Sequence, residues 1–283
     1  MGGILVQGFL ISGLYALVAV GFTMIFSVGR VLNLAYGVYI MIGGYVYYVL
    51  AQLLELPKIP SFFGAALAGA AFGLMTYLGL VRRLRDNPIA VEISTLILAV
   101  VMQAVVIIIF SPAPKAIWPM IPGVIRLFGA PVTWTIFLAM IISWVILGAL
   151  LLFVQKTALG RAIRAVSMDT KGALVAGIDA ERINLLTWGL SGALGAIAGV
   201  FFASYTQLDP TMWVFPLIIA VAVVIVGGIG SIIGSLMAAH IVGFLETVTT
   251  TVIAPELRGV FTMLLIIVIL VIMPKGLLGK EET

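Results

Sequence analysis

Residues 4–26 read ILVQGFLISGLYALVAVGFTMIF, a run without one charged side chain. A helix needs about 20 apolar residues to cross the hydrocarbon core of a bilayer, so this run is long enough. Lipid offers no partners to backbone N–H and C=O groups, which makes a helix the expected form. The run has no basic leader and no small-residue cleavage site, and it reads as a first span, not a removable signal. The pattern recurs at 35–54, 62–81, 89–111, 132–154, 183–206, 213–228, 231–252 and 257–273. The 213–228 run is short, ends in Gly227 and Gly228, and has Gly230 just beyond it. It forms either a span of its own or a broken, re-entrant element with 231–252, so eight or nine spans are expected. Period-2 alternation, the mark of a membrane barrel, is absent. The expected fold is an all-α polytopic membrane protein. No linker or shift in composition divides residues 1–283, which read as one domain.

Composition agrees. Hydrophobic residues make up 63% of the chain and charged residues 9%, against about 25% charged in soluble domains. The mean hydropathy is +1.28. The 31 glycines fit helices that approach backbone to backbone. With no cysteine, disulfides, thiol chemistry and Cys-based metal sites are excluded. One histidine and no cysteine leave little from which to build a metal site or a catalytic cluster, so no metal and no enzyme activity are expected. The net charge of +4 is not arranged with stacking aromatics, and nucleic acid is not an expected partner.

Basic residues set the expected orientation. With the N-terminus outside and nine spans, the inner segments hold Arg30, Arg82, Arg83, Arg85, Lys156, Arg161, Arg164, Lys171, Arg182, Lys275 and Lys280. The outer segments hold only Lys58, Lys115, Arg126 and Arg258, and the C-terminus falls inside. Residues 112–131, PAPKAIWPMIPGVIRLFGAP, carry five prolines and read as an outer loop or cap. Residues 155–182 form the longest polar segment and lie inside. Within it, Leu159 to Ala176 reads as one amphipathic helix. Ala162, Ile163, Val166 and Ala173 form its apolar edge, and Arg161, Arg164, Asp169 and Lys171 its polar faces. Gly177 fits its C-terminus, and Asp179 fits the N-cap of the next helix. From pattern alone, this helix either lies on lipid headgroups or transmits a push from a soluble partner.

Four motifs carry a resemblance. They are LGRAIRAVSMDTKGALVAGIDAERINLLTWGLSGALGAIAGV within 159–200, VGGIGSIIGSLMAAHIVGFLE at 226–246, VLNLAYGVYIMIGGYV at 31–46 and MPKGLLG at 273–279. Together they resemble the branched-chain amino acid transporter permease family of ATP-binding-cassette importers. The resemblance implies a membrane-spanning permease that moves amino acids by alternating access in the cell membrane. It also implies a second related permease, two cytoplasmic ATPases and an external solute-binding protein as partners. Residues 171–178 would be the coupling helix that seats on an ATPase, with Arg161, Arg164, Asp169, Lys171, Gly172, Ala173, Gly177 and Ile178 as the coupling set. The chain has no GxxxxGK[ST] phosphate loop, so ATP and Mg would be held by partner subunits. Where the family commonly reads N-F-A-H-G-E, this chain has Asn33, Leu34, Ala35, Tyr36, Gly37 and Val38. The missing histidine and carboxylate imply an altered solute preference or gate. The rival reading is a carrier or channel that works without ATPases.

Candidate pathway or gate residues are Asn33, Tyr36, Gly37, Gly227, Gly228, Gly230, Gly234 and Glu246. Ionisable groups at membrane depth point to function by default. Glu246 shares a helical stripe with Ser235, Ala239, Gly243, Thr249 and Thr250, so that stripe should face the bundle interior. Glu246 either lines the route or is hydrogen-bonded inside the bundle. His240, six positions earlier, points elsewhere and reads as a packing residue. Glu92 reads as a carboxylate placed for the helix dipole. The four glycines either let helices touch or free backbone groups for solute.

Overall fold

The computed structural model describes residues 2–273 and 276–278. Lys275 and Lys280 of the basic tally, and Pro274, Lys275 and Gly279 of the last motif, lie outside them. Among the described residues, eight helices are long and apolar enough to span a bilayer: α1 (Gly2–Gly29), α2 (Tyr36–Leu53), α3 (Lys58–Leu84), α4 (Pro88–Phe110), α5 (Trp134–Lys156), α8 (Ala180–Tyr205), α10 (Ile232–Ile253) and α11 (Pro255–Ile272). Between α5 and α8 lie two short helices, α6 (Ala158–Met168) and α7 (Thr170–Val175). A shorter apolar helix, α9 (Val214–Gly227), precedes α10. At 1.5 Å per residue α9 is about 21 Å long. The chain is an all-α, multi-pass membrane protein, and each expected span falls on one of these helices.

α1 is the axis of the bundle. It packs against α5, α8, α9 and α10, and Ala16, Leu17, Val18, Ala19 and Val20 are completely buried. α8 is the second hub, set against α1, α2 and α3. Its glycines make these contacts possible. A methyl group on Gly192 would strike the Gly69 carbonyl of α3, and one on Gly199 would strike the Ile40 carbonyl of α2. Backbones this close gain dispersion contact in a solvent that provides no hydrophobic drive between helices. By contrast α4 and α11 stay largely exposed and present apolar side chains such as Ile97, Ile108 and Val271.

The loops gather at two ends. At one, Arg30 donates to the Met168 carbonyl (3.1 Å), Arg82 pairs with Glu181 (2.9 Å), and the Leu277 N–H reaches the Val226 carbonyl (2.8 Å). At the other, Lys58 donates to the Pro119 carbonyl (2.7 Å) and Lys115 bridges Leu208. The first end carries Arg30, Arg82, Arg83, Arg85, Lys156, Arg161, Arg164, Lys171 and Arg182, and is the arginine-rich end. The second carries Lys58, Lys115, Arg126 and Arg258. α9 joins the second end to the first.

Two local features differ from expectation. The proline-rich 112–131 loop contains a strand, β1 (Val124–Leu127), paired antiparallel with β2 (Ala130–Thr133). Phe128 and Gly129, both at positive φ (49° and 81°), make the two-residue turn. Strands of four residues are too short to show alternation, and Phe is not the usual first residue of such a turn. The amphipathic segment is also two helices, not one. Asp169 (φ −149°, ψ 106°) ends α6, and its carboxylate accepts the Lys171 N–H (2.9 Å) at the start of α7. A short acidic side chain competes with the helix for backbone donors, which turns the chain there.

Candidate functional site

The α6–α7 unit is fastened to the membrane helices at both ends. Thr157 caps α6, accepting from Gly160 N–H (2.9 Å) and donating to the Phe153 carbonyl (2.7 Å). Gly160 sits against Phe153 and Val154 of α5, where a side chain would not fit. Asp179 caps α8 through the Glu181 and Arg182 N–H groups (3.0 and 3.2 Å), and Gly177 takes φ +79° after α7. Beneath the unit lies a small core separate from the main one: Val28 of α1, Ile163 and Val166 of α6, Ala173 of α7 and Ile183 of α8. Thus α7 packs on α6 and α8, and α6 in turn packs on α1.

Of the expected coupling residues, Arg161, Arg164, Asp169, Lys171, Gly172 and Gly177 are exposed. Ala173 faces inward at 4% exposure, and Ile178 packs beside it. Gly172 leaves room for Asp169: a methyl there would lie 2.6 Å from its carboxylate. Three side chains outside the expected set stand out. Met168, Leu174 and Val175 are exposed apolar groups on this unit, Val175 at 91%. Their signal in the sequence was position, since they are apolar yet lie off the edge that packs inward.

The pathway candidates fall into three places. Asn33, Tyr36 and Gly37 cluster where α2 begins. Asn33 is fully buried, donates to the Tyr39 hydroxyl (2.9 Å) and accepts from Ala35 N–H (3.1 Å). Tyr36 stacks edge-on to Phe22 and Tyr39 over Gly21, and its buried hydroxyl has no partner among the described residues. Gly37 lies against the Trp213 carbonyl.

Gly227 and Gly234 form the second place. They bring the backbones of α9 and α10 into contact, and Gly228 and Gly230 take positive φ (97° and 81°) in the turn between. Ser231 caps α10 by accepting from Gly234 N–H (3.0 Å). The Leu277 and Leu278 N–H groups bond the Val226 and Gly227 carbonyls (2.8 and 3.0 Å). The loose carbonyls at the end of α9 thus have partners within the chain.

Glu246 stands apart, toward the opposite end. Its stripe does face inward: Ser235, Ala239, Gly243, Glu246 and Thr249 are buried, and Thr250 is half-buried. The carboxylate accepts from Gly259 N–H (3.1 and 3.2 Å) and the Thr262 hydroxyl (3.3 Å), at the start of the last helix. Arg258 approaches to 3.5 Å, with its guanidinium 4.0 Å from the centre of the Phe215 ring. No local pattern announces this pairing, which joins residues on two helices. His240 bonds the Leu236 carbonyl through Nδ1 (2.8 Å) and lies between Phe9 and Trp144. Among the described residues no three His, Asp or Glu side chains gather as a metal site.

Comparison with known proteins places the chain. A family described as the permease component of branched-chain amino acid transport systems matches residues 4–270. The permease protein BraD of Pseudomonas aeruginosa, named for high-affinity branched-chain amino acid transport, is 29% identical over 98% of this chain and 95% of its own length. LivH of Escherichia coli, named for the same transport, is 28% identical over 98% of the chain and 94% of its own. A protein of Methanocaldococcus jannaschii named "Probable branched-chain amino acid transport permease protein LivH" is 29% identical over 95% of the chain and 90% of its own. No solved structure matches. With a bundle of apolar helices, a loop unit braced against three of them and a match over nearly its full length, this chain belongs to the family of permease components of branched-chain amino acid transport systems.

Proposed function

We propose that the chain is the membrane-spanning permease subunit of an ATP-binding-cassette importer for amino acids, branched-chain ones first among them. Cytoplasmic ATPases bind and hydrolyse ATP with Mg, a second related permease completes the membrane unit, and an external binding protein delivers the solute. The arginine-rich end faces the cytoplasm, as the basic asymmetry favours, and the N-terminus lies outside.

The carrying observation is the α6–α7 unit. It combines a tip of exposed Met168, Leu174 and Val175 with a private core that reaches α1 and α8. Apolar knobs outside the hydrocarbon are costly to leave in water, and a rim of Arg161, Arg164 and Lys171 suits a partner groove. ATPase closure pushes the tip, the small core passes the push to α1 and α8, and the route opens or shuts. The axis of the chain is filled by α1, which favours a route along the face shared with the second permease.

The test is copurification in mild detergent followed by uptake in liposomes. ATPase subunits bound to the wild-type chain, and uptake that needs ATP inside, are the expected results. Uptake by the lone chain without ATP would replace this reading with the carrier. Labelling of Lys171 from outside intact cells would overturn the orientation.

A further inference from the structure

A groove of about 500 Å³ runs between α3 and α8 on the outer flank of the bundle. Ala70 and Leu74 form one wall, Leu186, Gly189 and Ala193 the other, and Arg182 closes one end. The α8 residues follow a single helical stripe, and Gly189 deepens the floor because it has no side chain. The groove is almost wholly apolar except at Arg182, which sits where α8 leaves the membrane.

We infer that this groove holds one acyl chain of an anionic phospholipid, with its headgroup phosphate on Arg182 and the neighbouring arginines. Length is the first argument. From Arg182 to Ala193 is about 16 Å along α8, close to half of a hydrocarbon core about 30 Å thick. The groove serves one leaflet. Beyond it, Ala196 is covered by Gly43 and Gly69 and Val200 is fully buried, so the stripe closes at mid-depth. A helix of a second permease would need a face open across both leaflets.

Charge is the second argument. The Arg82–Glu181 pair ties the end of α3 to the start of α8, which puts Arg82, Arg83 and Arg85 at the same level as Arg182. Asp86, Asp179 and Glu181 share this surface. Arg182 pairs with Asp179 through Nε (3.0 Å), but its side chain is 85% exposed, and exposed pairs of this kind are weak. A phosphate can take the outer edge of the guanidinium with two parallel hydrogen bonds, which a lone carboxylate at Nε does not occupy. A zwitterionic lipid carries its own cation at this level and gains less. The inference does not depend on which solute is carried or on the ATPases.

The experiment is native mass spectrometry of the purified full-length chain, with any subunits that stay bound, after exchange into bilayer nanodiscs of equal phosphatidylglycerol and phosphatidylcholine. Retention of one phosphatidylglycerol in preference to phosphatidylcholine is expected. Arg182→Gln should lower that retention about fivefold, the worth of one cation near an anionic headgroup. Ala193→Leu keeps every arginine but fills the groove, and should lower retention of both lipids. Equal retention of the two lipids by the wild-type chain, which needs no variant, overturns the proposal. So does full retention in Ala193→Leu, or a disulfide between an Ala193→Cys chain and a second permease.

Discussion

The two ends of the bundle are fastened by different physics. At the arginine-rich end the α6–α7 unit sets Ile163, Val166 and Ala173 on Val28 and Ile183 of the long helices and is closed by helix caps. At the other end the last two long helices are joined through a buried carboxylate, with Glu246 on Gly259, Thr262 and Arg258. Apolar contact is non-directional, so a seated helix can slide or tilt at small cost. A buried carboxylate is tied to particular donors, and losing them leaves a charge in a poor dielectric. On the proposed function, the first end shifts while the second stays.

Removing the fixed end should have the largest effect. Glu246→Ala deletes the acceptor for two donors and leaves Arg258 without its partner. Breaking a fully buried pair costs about 3–5 kcal/mol; with Arg258 about a third exposed, the lower end of that range is expected. Thermal unfolding in detergent should show the loss, and Glu246→Gln, which keeps one acceptor oxygen, should recover part of it. If Glu246→Ala melts like the wild type while uptake falls, the carboxylate belongs to the route and the contrast between the ends fails.

The movable end is probed next by two neighbours that face opposite ways. Val175→Asp changes a side chain that is 91% exposed, so the melting temperature should hold. ATPase binding should weaken by about 2 kcal/mol, the scale of an interface hot spot, as read by retention on immobilised permease. Ala173→Asp puts a carboxylate into the small core and should lower both stability and binding. Equal behaviour of the two variants would mean that the tip and the seat are not separate.

How much of this was legible in the sequence differs between the ends for the same reason. Apolar runs must be helices in lipid, so the eight long spans could be read one by one, while the short Val214–Gly227 run was expected either as a span or as a re-entrant element. The caps at Asp179 and Gly177 were equally legible, because a cap is a local agreement between one residue and its next few neighbours. The inward edge of Ile163, Val166 and Ala173 followed from periodicity. What stayed hidden was non-local. Arg258 was only one of four basic residues at its end until folding set it beside Glu246. The hairpin was hidden because its strands are short and its turn opens with Phe128.

The smallest expected effect tests why the unit is two helices. Asp169→Ala removes the acceptor for the Lys171 N–H without touching the apolar core. Loss of an N-cap costs about 1 kcal/mol, so the global melt should barely move. Hydrogen exchange should quicken over Thr170–Val175 while Ala158–Met168, capped separately by Thr157, stays protected. Gly172→Val provides the counterpart, since it crowds the Asp169 carboxylate without removing it. If α7 carries the push, both variants should lower uptake more than they lower ATPase binding, because the knobs at Leu174 and Val175 remain while their alignment loosens. If α7 instead keeps its protection in Asp169→Ala, the kink is set by the small core and not by the cap. The movable end would then owe its shape to the same kind of burial as the rest of the bundle.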